Sequence, residues 1–435
     1  MTQAEKNTAQ ELLKFIEKSP SCFHAVENIR QELISNGFTE LKEQDSWNLS
    51  AGGMYFTVRN QSSLIAFILP QLKTKPDTLS FRMTASHSDS PCFKIKENPE
   101  LTSAGVVKLN AEKYGGMLLN PWFDRPLSLA GRVILRQDRE NFTTAFKTVP
   151  VNFDRNLLLI PNLAIHMNRD ANDGHKIDVQ NELMPVISSD PEFKLLPYIA
   201  EELKINKDQI EGFDLYLYNR DKGSFWGAGE EFIVSPRLDD LECAWTTMKG
   251  FINSKNKKLE DTVKVYCIFD NEETGSQSRQ GAASTFLKET LFRINSKLGY
   301  NEEQYYQALA KSFMVSADNA HSVHPNYVSS SDPVNRPEVN KGPVIKFNAS
   351  QKYTSDGVSG AVFKKICRDA GVPFQVFTNN SNSQGGSTLG NISTEQVSVL
   401  SVDVGLAQWA MHSPMESAGA EDVDYMIRAV TQLFC

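Results

Sequence analysis

The sequence predicts an α/β protein: a mixed, mainly parallel sheet flanked by helices, interrupted by an inserted β-rich second domain. Three observations carry this. Apolar strand-like runs alternate with helical patterns toward both ends of the chain, which argues a mainly parallel sheet with helices on both faces. Between about residues 93 and 232 the texture changes, with short β-like runs and weak helical periodicity. The chain has 435 residues, more than one core ordinarily serves, which calls for two domains or one with a large insertion.

The elements follow in order. Leu12, Leu13, Phe15 and Ile16 give the first segment a helical apolar face. Ser19, Pro20 and Ser21 break it, and a second helix carrying Phe23, Val26, Ile29 and Leu33 ends near Gly37. Strand-like MYFTV, SLIAFIL and LSFRMTA come next, the last running into SHSDSP at residues 86–91. Inside the insertion GRVILR, NLLLIP, LAIHM and FDLYLY read as strands, with helical character confined to the acidic 191–211 stretch. From Pro236 a helix sets Leu238, Leu241, Trp245, Met248 and Ile252 on one face. Then come TVKVYCIFD, KSFMVSAD, a helix capped by Ser355 with Val358, Val362 and Ile366 inward, VSVLSVDVG, and a final helix from about Asp422. This assigns 1–92 and 233–435 to one domain and 93–232 to the insertion.

Bulk properties exclude some classes. The net charge is −8 and no long basic block occurs, which argues against nucleic acid as a partner. No run of about 18 apolar residues predicts a membrane span. Met1 to Ser19 lack the apolar core of a secretory signal. Six scattered cysteines without a C-x-x-C pair read as reduced thiols, so a cytoplasmic location is expected.

The chemistry starts at IFDNEETGS, Ile268 to Ser276, which crowds Asp270, Glu272 and Glu273 at the end of an apolar strand. Adjacent carboxylates there repel and lose hydration, so a cation or a shared proton must compensate. In open α/β sheets ligands gather at the carboxyl ends of strands. His87 and Asp89, Glu272 and Glu273, Asp318, and His412 all follow such ends, and Asp239 begins a helix. His87, Asp239, Glu273, Asp318 and His412 make a sensible ligand set for two zinc ions if Asp239 bridges. Each ion then has one imidazole, one private carboxylate and half of the bridge. Three carboxylates and a bridging hydroxide balance two dications, as a dry pocket requires. The donor types suit zinc or cobalt better than magnesium. Glu272 is then the natural general base. Asp89 would accept the ring N–H of His87 and fix its tautomer. Taken singly, each fragment has an ordinary reading: a polar loop, a solvated acidic turn, or a charge favourable to a helix dipole.

The blocks SHSDSPCFKIK, WFDRPLSLAGRV, IPNLAIHMNR, SPRLDDL, DNEETGSQSRQGA, SADNAHSVHPNY, NKGPVIKFN and AMHSPME, in this order, resemble those of the aspartyl aminopeptidase family of dinuclear zinc exopeptidases. They run from about residue 20 to the C terminus. The resemblance implies a zinc exopeptidase fold whose inserted domain serves oligomerisation and acts as a lid. It implies a cytosolic homo-oligomer, a tetrahedral dodecamer, acting on short peptides. It places His87, Asp239 and Asp318 on one zinc, Asp239, Glu273 and His412 on the other, and Glu272 as base, with cobalt or manganese as substitute metals. Substrate contacts fall on His166, His321, Lys346 and Tyr353, with His166 reaching in from a neighbouring subunit.

One segment departs from the pattern. The loop NNSNSQGGSTLG, residues 379–390, leaves the side-chain preference open between acidic and neutral residues. It also lacks the Gly-Lys-Ser/Thr of a phosphate-binding loop. The expected activity is removal of one N-terminal residue, Asp or Glu preferred. Rival readings are a deacylase or carboxypeptidase, which would need a cationic clamp for a substrate carboxylate; a non-catalytic assembly protein, which would show damaged ligands; and a two-carboxylate glycosidase, which would leave both histidines idle.

Overall fold

The computed structural model describes residues 1–71, 76–137, 142, 145–257, 259–383 and 385–435. The chain forms two compact units. The first holds Met1–Asp89, Gly223–Met411 and Glu416–Cys435, and the second Ser90–Lys222 and His412–Met415.

Among the described residues, the first unit is built on a nine-stranded mixed sheet. Its centre is four parallel strands in the order Thr262–Phe269, Ser80–His87, Phe313–Ala317 and Leu400–Gly405. Phe269 lies opposite His87 and Ala317 opposite Val404, so these strands end along one edge. Every residue of Thr262–Phe269 is buried, Lys264 included, which is why it reads as a nearly continuous apolar run and not as an alternation. Ser63–Ile68 and Met54–Arg59 extend the sheet antiparallel on one side. Val344–Lys346 runs antiparallel on the other, with Gln375–Phe377 parallel beyond it. The architecture is therefore the mixed, mainly parallel one expected.

Helices cover both faces. On one, Leu12, Ile16, Ile29, Trp245, Met248, Met426 and Val430 join Ile268, Val315 and Val402 in one core. On the other, Phe286, Leu291 and Tyr305 pack with Phe67, Phe81, Val265 and Met314. The Leu238–Asn253 helix is buried almost all round, Glu242, Thr246 and Thr247 included, and not only on its leucine face. The Gly357–Asp369 helix is capped by Asp356, not Ser355: the Asp356 carboxylate accepts from the Val358 and Ser359 amides. Ser355 instead turns its hydroxyl to the Asp403 amide at 2.9 Å. A smaller sheet joins Ser224–Trp226, Phe232–Ser235, Glu416–Gly419, Ala407–Trp409 and Ala320–His321.

Among the described residues, the second unit is built on a six-stranded antiparallel sheet. Along Ile210–Asn219, Phe213, Leu215 and Leu217 alternate inward, joining Phe93, Trp122, Val133 and Ile199. Gly131 is required by close approach, because a Cβ there would meet the Asp214 carbonyl oxygen at 1.9 Å. Two expected strands do not form. NLLLIP contributes only isolated bridges at Leu158 and Leu159. LAIHM is a turn, in which the Met167 amide donates to the Ala164 carbonyl at 2.8 Å. Its alternating pattern finds no strand to pair with, and Leu163, Ile165 and Met167 are left exposed.

Candidate metal centre

Strand ends supply most of the centre. His87 is the last residue of its strand, and Asp318 directly follows Ala317. Glu272 and Glu273 open a short 3-10 turn just past Phe269. Left-handed backbone at Asn271 (φ 61°) and Gly275 (φ 97°) brackets that turn, and Asn and Gly are residues that tolerate it. Asp239 lies in the first turn of its helix, where amides have no partner in the helical ladder, and has non-helical angles (φ −80°, ψ 109°).

One ligand atom each from His87, Asp239, Asp240 and Asp318 lie within 4.8 Å of one another, and the same holds for His87, Glu272 and Glu273. His87 Nε2 is 3.4 Å from Asp239 Oδ1, while Nδ1 faces Asp89, 3.1 Å from its carbonyl and 3.4 Å from Oδ1. This arrangement suits a proton on Nδ1 and a lone pair on Nε2, the tautomer a metal ligand needs.

Carboxylates also hold the backbone of the site. The Glu272 amide donates to Asp89 Oδ1 at 3.1 Å and the Glu273 amide to Asp89 Oδ2 at 3.2 Å. Asp89 thus fixes both the histidine and the glutamate turn. The His87 amide donates to Asp240 Oδ2 at 3.0 Å, and the Asp239 amide to Glu416 Oε2 at 2.9 Å. Sequence reasoning missed Asp240 and Glu416. The doubled aspartate in SPRLDDL hinted at the first; nothing local pointed to the second.

Negative charge is in excess. Burial, then repulsion from neighbouring carboxylates, pushes the Asp240 and Glu273 carboxyls well above the usual range. The same causes push Glu272 up to about 8, against the opposing pull of His87. Burial raises Asp318 against the pull of Lys346. Burial would lower His87, but Asp240, Asp239 and Asp89 together raise it. Asp240 Oδ1 is buried and has no hydrogen-bond partner among the described residues. A dication fits this donor set. Its oxygens and imidazole nitrogen converge, are withdrawn from water and carry uncompensated charge.

The other expected residues divide. Lys346 is buried, its Nζ donating to the Asn319 carbonyl at 2.8 Å, 3.6 Å from Asp318 Oδ1 and 5.6 Å from the Tyr353 ring centre. Burial opposes its charge, but Asp318 and then Tyr353 and Asp403 outweigh it. Tyr353 is buried too. His321 is exposed on its short strand, its ring 6.3 Å from that of Phe377. His412 follows not Val404 directly but the additional strand Ala407–Trp409; it has φ 66°, and its carbonyl accepts from the Leu118 amide at 3.1 Å. His166 is exposed in its turn. Both His166 and His412 belong to the second unit, the rest to the first. Gln384, in the glycine-rich loop, lies outside the described residues.

A family profile described as aminopeptidase I zinc metalloprotease (M18) matches residues 15–434. The chain belongs to this M18 family. A probable M18 family aminopeptidase 2 of Clostridium acetobutylicum is 44% identical over 436 residues, covering 99% of each chain. Among solved structures, Ape4 in its complex with Nbr1 superposes with a TM-score of 0.94 at 35% identity, over 99% of this chain and 86% of that one. The S. cerevisiae mApe1 dodecamer superposes with a TM-score of 0.84 at 25% identity, over 99% and 97%. The M18 fold and the zinc aminopeptidase class expected from the motifs are thus those of the chain. No helix among the described residues is long and apolar enough to cross a membrane.

Proposed function

We propose a cytoplasmic dinuclear zinc aminopeptidase that removes one N-terminal residue, preferably Asp or Glu, from short peptides. The observation that carries this is the convergence of His87, Asp239, Asp318, Glu272 and Glu273 at one edge of the parallel strands, with more negative charge than the chain itself balances. His87, Asp239 and Asp318 would hold one ion, and Asp239, Glu273 and His412 the other, with Asp239 serving both. Bound zinc would supply Lewis acidity, making water acidic near neutral pH and polarising a carbonyl. Glu272, whose carboxylate converges on His87 with Glu273, would take the proton of the attacking water and pass it to the leaving amine. Asp89 keeps the His87 ring and the Glu272 backbone in register through its two sets of contacts.

Lys346 is the cation assigned to an acidic side chain, with Tyr353 beside it and His321 as a further contact. One observation favours a second reading, a broad or neutral-residue aminopeptidase: Lys346 already serves Asn319 and Asp318. The second unit is assigned to oligomerisation and to a lid. The exposed Leu163, Ile165 and Met167 around His166 support that segment as a contact to another copy, in a dodecamer like that of mApe1. The test is a panel of aminoacyl anilides and dipeptides, each with an N-acetylated counterpart, assayed with metal analysis of the same sample. The reading expects two zinc ions per chain and no turnover of blocked substrates. Cleavage of blocked substrates would turn it into a deacylase or carboxypeptidase.

A further inference from the structure

The small sheet of the first unit carries no member of the proposed ligand set, yet it buries several polar side chains. Glu416, Gln408 and Asn319 are 2%, 1% and 2% exposed. They are joined end to end. Asn319 Nδ2 donates to Gln408 Oε1 at 2.8 Å, and Gln408 Nε2 to Glu416 Oε1 at 3.4 Å. The other Glu416 oxygen accepts the Asp239 amide at 2.9 Å. Asn319 is the residue after Asp318. The string therefore starts beside one proposed ligand and ends on the backbone of another.

Its direction is fixed by its partners. Asn319 Nδ2 also donates to Glu242 Oε2 at 3.0 Å, and Oδ1 accepts the Cys243 thiol at 3.0 Å and the Leu406 amide at 3.4 Å. A flipped Asn319 amide would set donor against donor at Leu406, so its orientation is determined. The Asn319 carbonyl is held by Lys346 at 2.8 Å. Pairing supports the same segments: Ala320 lies opposite Ala407 and His321 opposite Gln408, and Gln408 lies opposite Ala418 two residues past Glu416. The Asp239 amide needs an acceptor from outside, because it lies in the first turn of its helix and no earlier helical carbonyl faces it. A carboxylate near a helix N-terminus is favoured by the dipole as well.

We infer that Glu416, Gln408 and Asn319 form a buried brace that sets Asp239 relative to Asp318, with Glu416 a positioning residue for the metal pair. This rests on Asp239 and Asp318 being ligands, as proposed above. Because Asp239 is shared, releasing the brace weakens both ions together. Groups that orient metal ligands typically govern about 10- to 100-fold in affinity.

The experiment compares the wild-type protein with Glu416→Leu, Glu416→Gln, Gln408→Met and Asp239→Ala. Zinc affinity is measured by competition with a chelator of known affinity, alongside the melting temperature of each metal-free protein. Glu416→Leu is expected to lose at least about 10-fold in affinity for both ions, and Glu416→Gln, which keeps an acceptor for the Asp239 amide but turns a donor toward Gln408 Nε2, is expected to lose less than Glu416→Leu. Native affinity in Glu416→Leu overturns the brace. So does an equal loss in Glu416→Gln, since the bond to the Asp239 amide that this variant keeps would then not be what holds the ions. If Glu416→Leu does not fold, Gln408→Met decides: weakened zinc affinity supports the brace, and native affinity overturns it. Asp239→Ala separates the levels. If it keeps both ions, the ligand assignment itself fails; if it loses them while Glu416→Leu does not, only the brace fails.

Discussion

The carboxyl edge of the nine-stranded sheet and the Leu163–Met167 turn break opposite rules. The first buries His87, Asp239, Asp240 and Asp318, groups that lose hydration. The second leaves Leu163, Ile165 and Met167 at 52%, 47% and 75% exposure, in contact with water they do not favour. Both are costly for an isolated chain. The difference lies in what would relieve the cost. Buried carboxylates call for a cation, and an exposed apolar turn calls for another protein surface. In the proposed enzyme one region is completed by metal and the other by a second copy.

The largest effect expected on the charged edge comes from Glu272→Gln, which keeps size and reach but cannot take the proton. Turnover should fall at least about 10²-fold with metal content unchanged. Near-normal kcat would move the base elsewhere.

Lys346→Met asks whether the edge also reads the substrate. A charge pair in a partly dry pocket contributes about 1–3 kcal/mol, or about 5- to 150-fold in kcat/KM. The ratio of Asp and Glu to Ala and Leu substrates should drop within that range. Unchanged ratios would leave Lys346 as a partner of Asp318 and Asn319 alone.

The exposed turn is tested by Met167→Glu, which sets a charge where the proposed partner surface needs an apolar group. Sedimentation should show smaller species, and peptidase activity should fall with assembly as His166 is withdrawn from its neighbour. A fully active monomer would remove His166 from the site and erase the contrast between the two regions.

A change of pH separates burial from metal demand. His24, beside the Ser21 hydroxyl at 2.8 Å, is held down to about 4 by burial and then by Arg237, against an ordinary value of 6.5. A folded-state value below the unfolded one gives stability that is present above pH 6.5 and lost as the pH falls toward 4. That difference corresponds to about 3 kcal/mol at most. Metal-free His24→Gln should therefore lose less stability than the wild type between pH 7 and 4.5, measured by denaturant titration. Equal losses would mean that His24 is not buried as described.

What could be read from the sequence follows the range of the forces involved. IFDNEETGS, SHSDS and KSFMVSAD each place a polar group at the end of an apolar run, a local pattern, and the structure sets those groups at one edge. Glu416 was invisible because its link to the site is a hydrogen bond to an amide 177 positions away. Asp240 was hidden behind Asp239, since either could have faced the site. LAIHM misled because alternation specifies a face but not a neighbouring strand. At Ser355 and Asp356 two good capping residues adjoin, and the choice fell to Asp403, which takes Ser355 for its own amide.

In the proposed enzyme the charged edge holds two ions that share Asp239. This sharing is tested most directly by counting zinc per chain in the wild type and in Asp239→Ala, both purified in zinc-containing buffer and desalted. Two ions are expected in the wild type, with a loss at both positions in the variant. Full occupancy of both sites in Asp239→Ala would contradict the sharing.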